Sequence, residues 1–141
     1  MHTKRVKLFM ALDSDILTKV KRWIEYAEED LRLAKHSLTL GSSCPFRLTA
    51  YHAQQCAEKY LKAFLVFHKK DFPHTHSITR LLEICEELIN IDDFAEAEIL
   101  TPYAITTRYP GEYEKVTREE AIEAIRAAEL VKEKILKHLV L

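Results

Sequence analysis

The sequence predicts an all-α fold, an antiparallel up-and-down bundle of four to five helices. Three observations carry that expectation. Apolar residues recur at three- and four-residue steps over long stretches, the spacing of one helix face. The chain has only two glycines and four prolines, too few for a sheet with many tight turns. No run alternates apolar and polar residues long enough to make a strand.

The elements follow in order. From about Ile16 to Leu40, the residues Ile16, Val20, Trp23 or Ile24, Ala27, Leu31, Ala34 and Leu38 form one stripe. Asp13 or Ser14 could cap its start, and Gly41-Ser42-Ser43 supplies the stop. A second helix is expected over about Phe46–His68, opened by Pro45 as a first-turn residue. Ala50, Ala53, Ala57, Tyr60 or Leu61, Phe64 and Phe67 form its stripe, and its small first half allows close approach of a neighbour. Pro73 breaks the connection 69–76. A third helix, about Ser77–Asn90, should bury Ile78, Leu81, Leu82, Cys85 and Leu88. A fourth runs from Asp92 or Asp93 to Tyr109 and should kink or divide at Pro102. The last opens with a capping box, Thr117 to Glu120, and continues to the C-terminus.

The 141 residues read as one domain over 16–141 preceded by an arm or short helix, 1–15. Apolar residues make up 48% and charged residues 30%, which is globular rather than disordered. Net charge is −1, so bulk charge gives no reason to bind a polyanion, while a local basic patch stays open. The apolar run Leu8 to Leu12 is too short for a signal peptide or a membrane span, so a cytoplasmic, membrane-free protein is expected. Three cysteines without CxxC spacing argue against a disulfide framework and a zinc site. Cys56 and Cys85 fall in apolar patterns as core residues. Scarce amides with high charge lean towards a thermophilic source.

The second helix holds the unusual chemistry. His52, Gln55, Lys59 and Lys62 share one polar face by helical spacing, which is most simply a solvated face. Gln54 and Glu58 stand among apolar positions. Gln54 and Gln55 are the only glutamines, and a buried amide needs a specific partner. Arg47 and His52 form an Arg-x4-His pair. Such a pair can cleave RNA without metal, the histidine taking the ribose 2′-OH proton and the arginine stabilising the phosphate. Five residues place them about 140° apart on an ideal helix, so convergence needs the helix start or a partner subunit. His74-Thr75-His76 could hold a metal but lacks companion ligands, so no metal site is assigned. His76 fits better as a cap of the third helix or a neighbour of the second. Arg108 could bind a phosphate or carboxylate and Tyr109 could stack on a base, or Arg108 could pair with an acid such as Glu58. No Gly-rich phosphate loop, GxSxG or HExxH is present.

Four segments, taken together, resemble the HEPN domain family. They are Trp23-x3-Ala27-x2-Asp30-Leu31-x2-Ala34, the run Ala50 to Ala63, His74-Thr75-His76-Ser77-Ile78, and Arg108-Tyr109-Pro110-Gly111. The resemblance covers about residues 16 to 138. It implies a helical bundle, usually a homodimer, often beside a separate minimal nucleotidyltransferase in a toxin–antitoxin pair. A nucleotide-binding role has been proposed for the group, and many members are metal-independent ribonucleases with an Arg-x4–6-His motif near the start of a late helix. This sequence departs from that last pattern, because Arg108 is followed by Tyr113, Glu114 and Lys115 where the histidine would stand.

The expected function is therefore that of a dimeric nucleotidyltransferase partner, not an enzyme by itself. It would bind a nucleotide such as ATP through His52, Gln55, Lys59, Arg108 and Tyr109. Gln54, Glu58, Lys62 and His76 are expected to organise the fold. The alternatives are a ribonuclease acting on RNA with Arg47 and His52, and a purely structural dimerisation module.

Overall fold

The computed structural model describes residues 14–104 and 115–139. The expected arm 1–15 (nearly all of it), a cap at Asp13 and the corner Arg108-Tyr109-Pro110-Gly111 lie outside the described residues. Within them every regular element is helical. Helix α1 spans Ser14–Ser37, α2 Phe46–Phe67, α3 Ile78–Cys85 and α4 Arg118–His138, with 3₁₀ segments at Leu38–Ser43 and Ile91–Ala104.

Helix α1 stops three residues short of the expected Leu40. Ser37 Oγ turns back onto the Ala34 carbonyl at 2.7 Å and meets Thr49 Oγ1 at 2.6 Å, and the backbone tightens into 3₁₀ form. Gly41, at φ 63°, then takes the left-handed conformation that glycine adopts without steric cost, and the chain reverses. Pro45 sits at the N-cap of α2 rather than in its first turn. No side chain caps there; the Pro45 carbonyl accepts from the amides of Leu48 and Thr49 at 2.8 and 3.2 Å.

Helix α2 is the central post. Fourteen of its 22 residues are buried, which no one-sided surface helix achieves. Ala50, Ala53 and Ala57 are fully buried, and their small side chains let neighbouring backbones close in. It ends at Lys69, whose φ of 56° turns the chain.

The third arm departs most from expectation. Ser77 caps α3 by accepting from the Arg80 amide at 3.1 Å, but the helix ends at Cys85, not Asn90. Beyond it Ile89 turns inward while Leu88 stays exposed, the reverse of an unbroken helical stripe. The next segment, expected as a kinked helix, is a 3₁₀ segment over Ile91–Ala104 with Pro102 inside it. Ile91, Phe94, Ala97, Leu100 and Tyr103 recur every third residue, and 3₁₀ winding puts such residues on one line. Phe94, Ala97 and Leu100 are buried along that line. Helix α4 opens with the expected capping box: Thr117 Oγ1 accepts from the Glu120 amide at 3.1 Å and Glu120 accepts from the Thr117 amide at 3.0 Å.

Pairings fix the topology. Ser37 meets Thr49, and Asp30 meets Lys59, so α1 and α2 are antiparallel. Lys35 pairs with Glu129 and Glu28 with Lys132, so α4 runs against α1. Asp93 accepts from Lys134 and Tyr103 lies in the field of Glu120, so the 3₁₀ arm runs against α4. The result is up-down-up-down, with the third arm built from a short helix and a 3₁₀ segment. Among the described residues no helix is long and apolar enough to cross a membrane.

Candidate functional site

The polar residues of α2 divide into two groups. The first is interior. Glu58, with 2% of its side chain exposed, accepts from Lys62 Nζ at 3.1 Å and bonds His76 Nδ1 at 2.9 Å. Gln54 Nε2 donates to the His76 carbonyl at 2.9 Å and to Glu58 at 3.4 Å, while Gln54 Oε1 accepts from Gln55 Nε2 at 2.8 Å. Lys62 also lies 5.5 Å from the Trp23 ring and 5.9 Å from that of Phe72. Each buried polar group thus has its partner, the condition for burying charge at all. This corrects the single polar face read from spacing: Gln55 and Lys62 are buried, Gln55 with its amide spent on Gln54. His76 lies beside α2, and Ser77 does the capping.

The second group reaches the surface. Asp30 of α1 bonds His52 Nδ1 at 2.9 Å and pairs through its other oxygen with Lys59 Nζ. The side chains of His52 and Lys59 keep 27% and 22% of their exposure, while Asp30 keeps 12%. A carboxylate on Nδ1 orients the ring and leaves Nε2 as its outward-facing nitrogen. Tyr51 sets its ring edge-on to that imidazole, centroids 5.2 Å apart. Arg47 is exposed on the first turn of α2, and no hydrogen bond or ring contact links it to His52. The helix start alone therefore does not bring the Arg-x4-His pair together.

A third cluster ties three helices. Tyr60 donates to Glu28 Oε2 at 2.8 Å, and Lys132 donates to Glu28 Oε1 at 2.7 Å. Burial acts to raise the Glu28 carboxyl, but these two donors outweigh it and the net pKa is lowered. Burial, then the Glu28 hydrogen bond, pushes the Tyr60 phenol up. Cys56 is raised to about 12, first by burial and then by Glu28 and Asp30.

Asp30 and Glu28 were the residues that sequence reasoning passed over as site members. Asp30 lies 22 residues from His52 and 29 from Lys59, and helical spacing carries no signal across that gap.

The HEPN domain model matches residues 20–139, and the chain belongs to the HEPN family. A Methanocaldococcus jannaschii protein named "Putative toxin MJ1304" is 31% identical, the match covering 82% of this chain and 84% of that one. Among solved structures, TT1696 from Thermus thermophilus is similar at TM-score 0.70 and 30% identity, covering 86% of this chain and 98% of that one. ST0689, described as an archaeal HEPN homologue, is similar at TM-score 0.66 and 27% identity, over 84% and 96% of the two chains.

Proposed function

We propose that this chain is the toxin-like member of a two-component pair, acting as a homodimer beside a separate minimal nucleotidyltransferase. In this reading its Asp30–His52–Lys59 cluster binds the phosphate of a nucleotide such as ATP. Family membership and the toxin name of the M. jannaschii relative support the setting. The observation that carries the binding half is the Asp30 clamp. It holds an imidazole and an ammonium side by side at the surface, while each keeps donor capacity beyond Asp30. Arg108 and Tyr109 remain part of the proposed set on the sequence alone. Gln55 leaves it, because its amide is engaged inside. For the dimer, Leu33 and Leu40 offer exposed apolar area seven residues apart on one side of the chain.

An equilibrium titration with ATP tests the binding half. Saturable binding that weakens in His52→Ala and Lys59→Ala is expected; no signal at millimolar ligand with the fold intact sinks it. A sedimentation measurement with Leu33→Glu beside the wild type tests the dimer.

The Asp30–His52 bond also favours a second reading, a metal-independent ribonuclease. A histidine held through Nδ1 presents Nε2 as a general base to a ribose 2′-OH, with Arg47, from this subunit or its partner, on the phosphate. RNA incubated with the protein in chelator should then be cut by the wild type and spared by His52→Ala. Equal cleavage by both, or none by either, removes this reading.

A further inference from the structure

We infer that the outer face of α1 next to this cluster is a stacking platform for single-stranded RNA, so that the ligand is an oligonucleotide rather than a mononucleotide. The inference rests on the phosphate-binding reading above. Lys19, Arg22, Trp23 and Tyr26 line one concave site of about 200 Å³. Their spacing continues at one further turn to Asp30, so the platform and the His52–Lys59 cluster share a single side of the helix. From Lys19 to Asp30 the helix rises about 16 Å, more than a mononucleotide engages at full contact.

The chemistry of the face selects the occupant. Tyr26 is 47% exposed, unusually open for a large aromatic on a helix with this much core to cover. Trp23 is half-buried, its ring held in place by the Lys62 ammonium. Two aromatic rings flanked by two cations match a base and its phosphates, since every base offers a π-face and every linkage a negative charge. Lys19 and Arg22 are exposed and make no ion pair with any described residue, so both charges are free for phosphates. Beyond Lys19 the surface opens into a second concavity of about 470 Å³, which brings in Lys69, Lys70 and the Phe72 ring, with Asp71 as its acid. A chain of net charge −1 thus concentrates cations and rings along one strip. That local patch is invisible in the bulk balance.

Trp23 is the sole tryptophan, so its fluorescence reports this face directly. The test uses the full chain and an end-labelled oligouridylate, with anisotropy reading total binding and Trp23 emission reading the platform. Saturable quenching is expected, weakened on the order of tenfold by Tyr26→Ala and by the pair Lys19→Glu, Arg22→Glu. The log–log salt slope should become shallower by about 0.7 for each phosphate no longer neutralised. His52→Ala should leave the quenching in place. Four results overturn the platform. Oligouridylate binding without a change at Trp23 is one, and wild-type affinity in those α1 variants is another. A third is binding of ATP but not of oligouridylate, which leaves the phosphate site standing. The fourth is a Trp23 change that follows protein concentration without RNA, which gives the face to a second copy. If neither ATP nor oligouridylate binds, both readings fall together.

Discussion

Replacing Glu58 by alanine should cost more than any other single polar substitution on α2. The carboxylate is almost fully buried and serves Lys62, His76 and Gln54 together. Its loss leaves the Lys62 ammonium, itself with 9% of its side chain exposed, without an anion in the interior. Breaking one partner of a buried ion pair costs about 3–5 kcal/mol. A chain of 141 residues unfolds with an entropy of about 0.3 kcal/mol/K near its midpoint, so Tm should fall by about 10–17 °C. The double variant Glu58→Ala, Lys62→Met removes the orphaned charge as well and should recover more than half of that loss. Differential scanning calorimetry on the wild type, both singles and the double measures the coupling. A loss below about 1 kcal/mol for Glu58→Ala, or a double no better than that single, would show that Lys62 escapes to water and that the network is not the anchor described.

Further outcomes concern titration, reactivity and capping. Glu28 has a lowered folded pKa, so its contribution is fully present above the unfolded value of 4.5 and is lost as pH falls through the folded one. The stability gap between wild type and Glu28→Gln should be constant at neutral pH and shrink in acid below 4.5; a gap that ignores pH refutes the assignment. Cys56 and Cys85 are fully buried with thiols raised to about 12, burial being the first cause in each. Mass spectrometry after alkylation at neutral pH should find both unmodified in the native protein and modified in denaturant. Thr117→Ala removes the reciprocal cap of α4 and should cost about 1 kcal/mol by denaturant titration. The same change at exposed Thr18, which only bonds back to the Ser14 carbonyl, should cost less.

Local signals in the chain were enough for the long helices. The three- and four-residue repeats of α1, α2 and α4 and the Thr117–Glu120 box all act within one or two turns. The same repeat misled at 91–104. Ile91, Phe94, Ala97, Leu100 and Tyr103 keep a step of three, and a strict step of three was the clue to 3₁₀ winding. On α2 the wheel drew one polar face, but a helix packed on nearly all sides has little outside to assign. Gln55 and Lys62 go in because Gln54 and Glu58 wait for them there. The Asp30 clamp and the Glu28 bridge to Lys132, 104 residues away, exist only once antiparallel helices dock. Their members looked like ordinary surface charge until then.

The uneven build of the four arms has a consequence for how the molecule opens. Helix α2 buries its amides on all sides, and α1 and α4 cover it with long, capped or charge-paired helices. The arm from Ile78 to Ala104 has one short helix and a 3₁₀ stretch, whose hydrogen bonds are poorer in geometry. Hydrogen exchange should therefore reveal two tiers, with that flank trading its protons through partial openings while the α2 amides wait for global unfolding. The interior tie from Gln54 and Glu58 to His76 stands at the boundary between the tiers, just where the loosely wound arm leaves the post. It is the fastening that keeps a breath of the outer arm from becoming the unfolding of the whole chain.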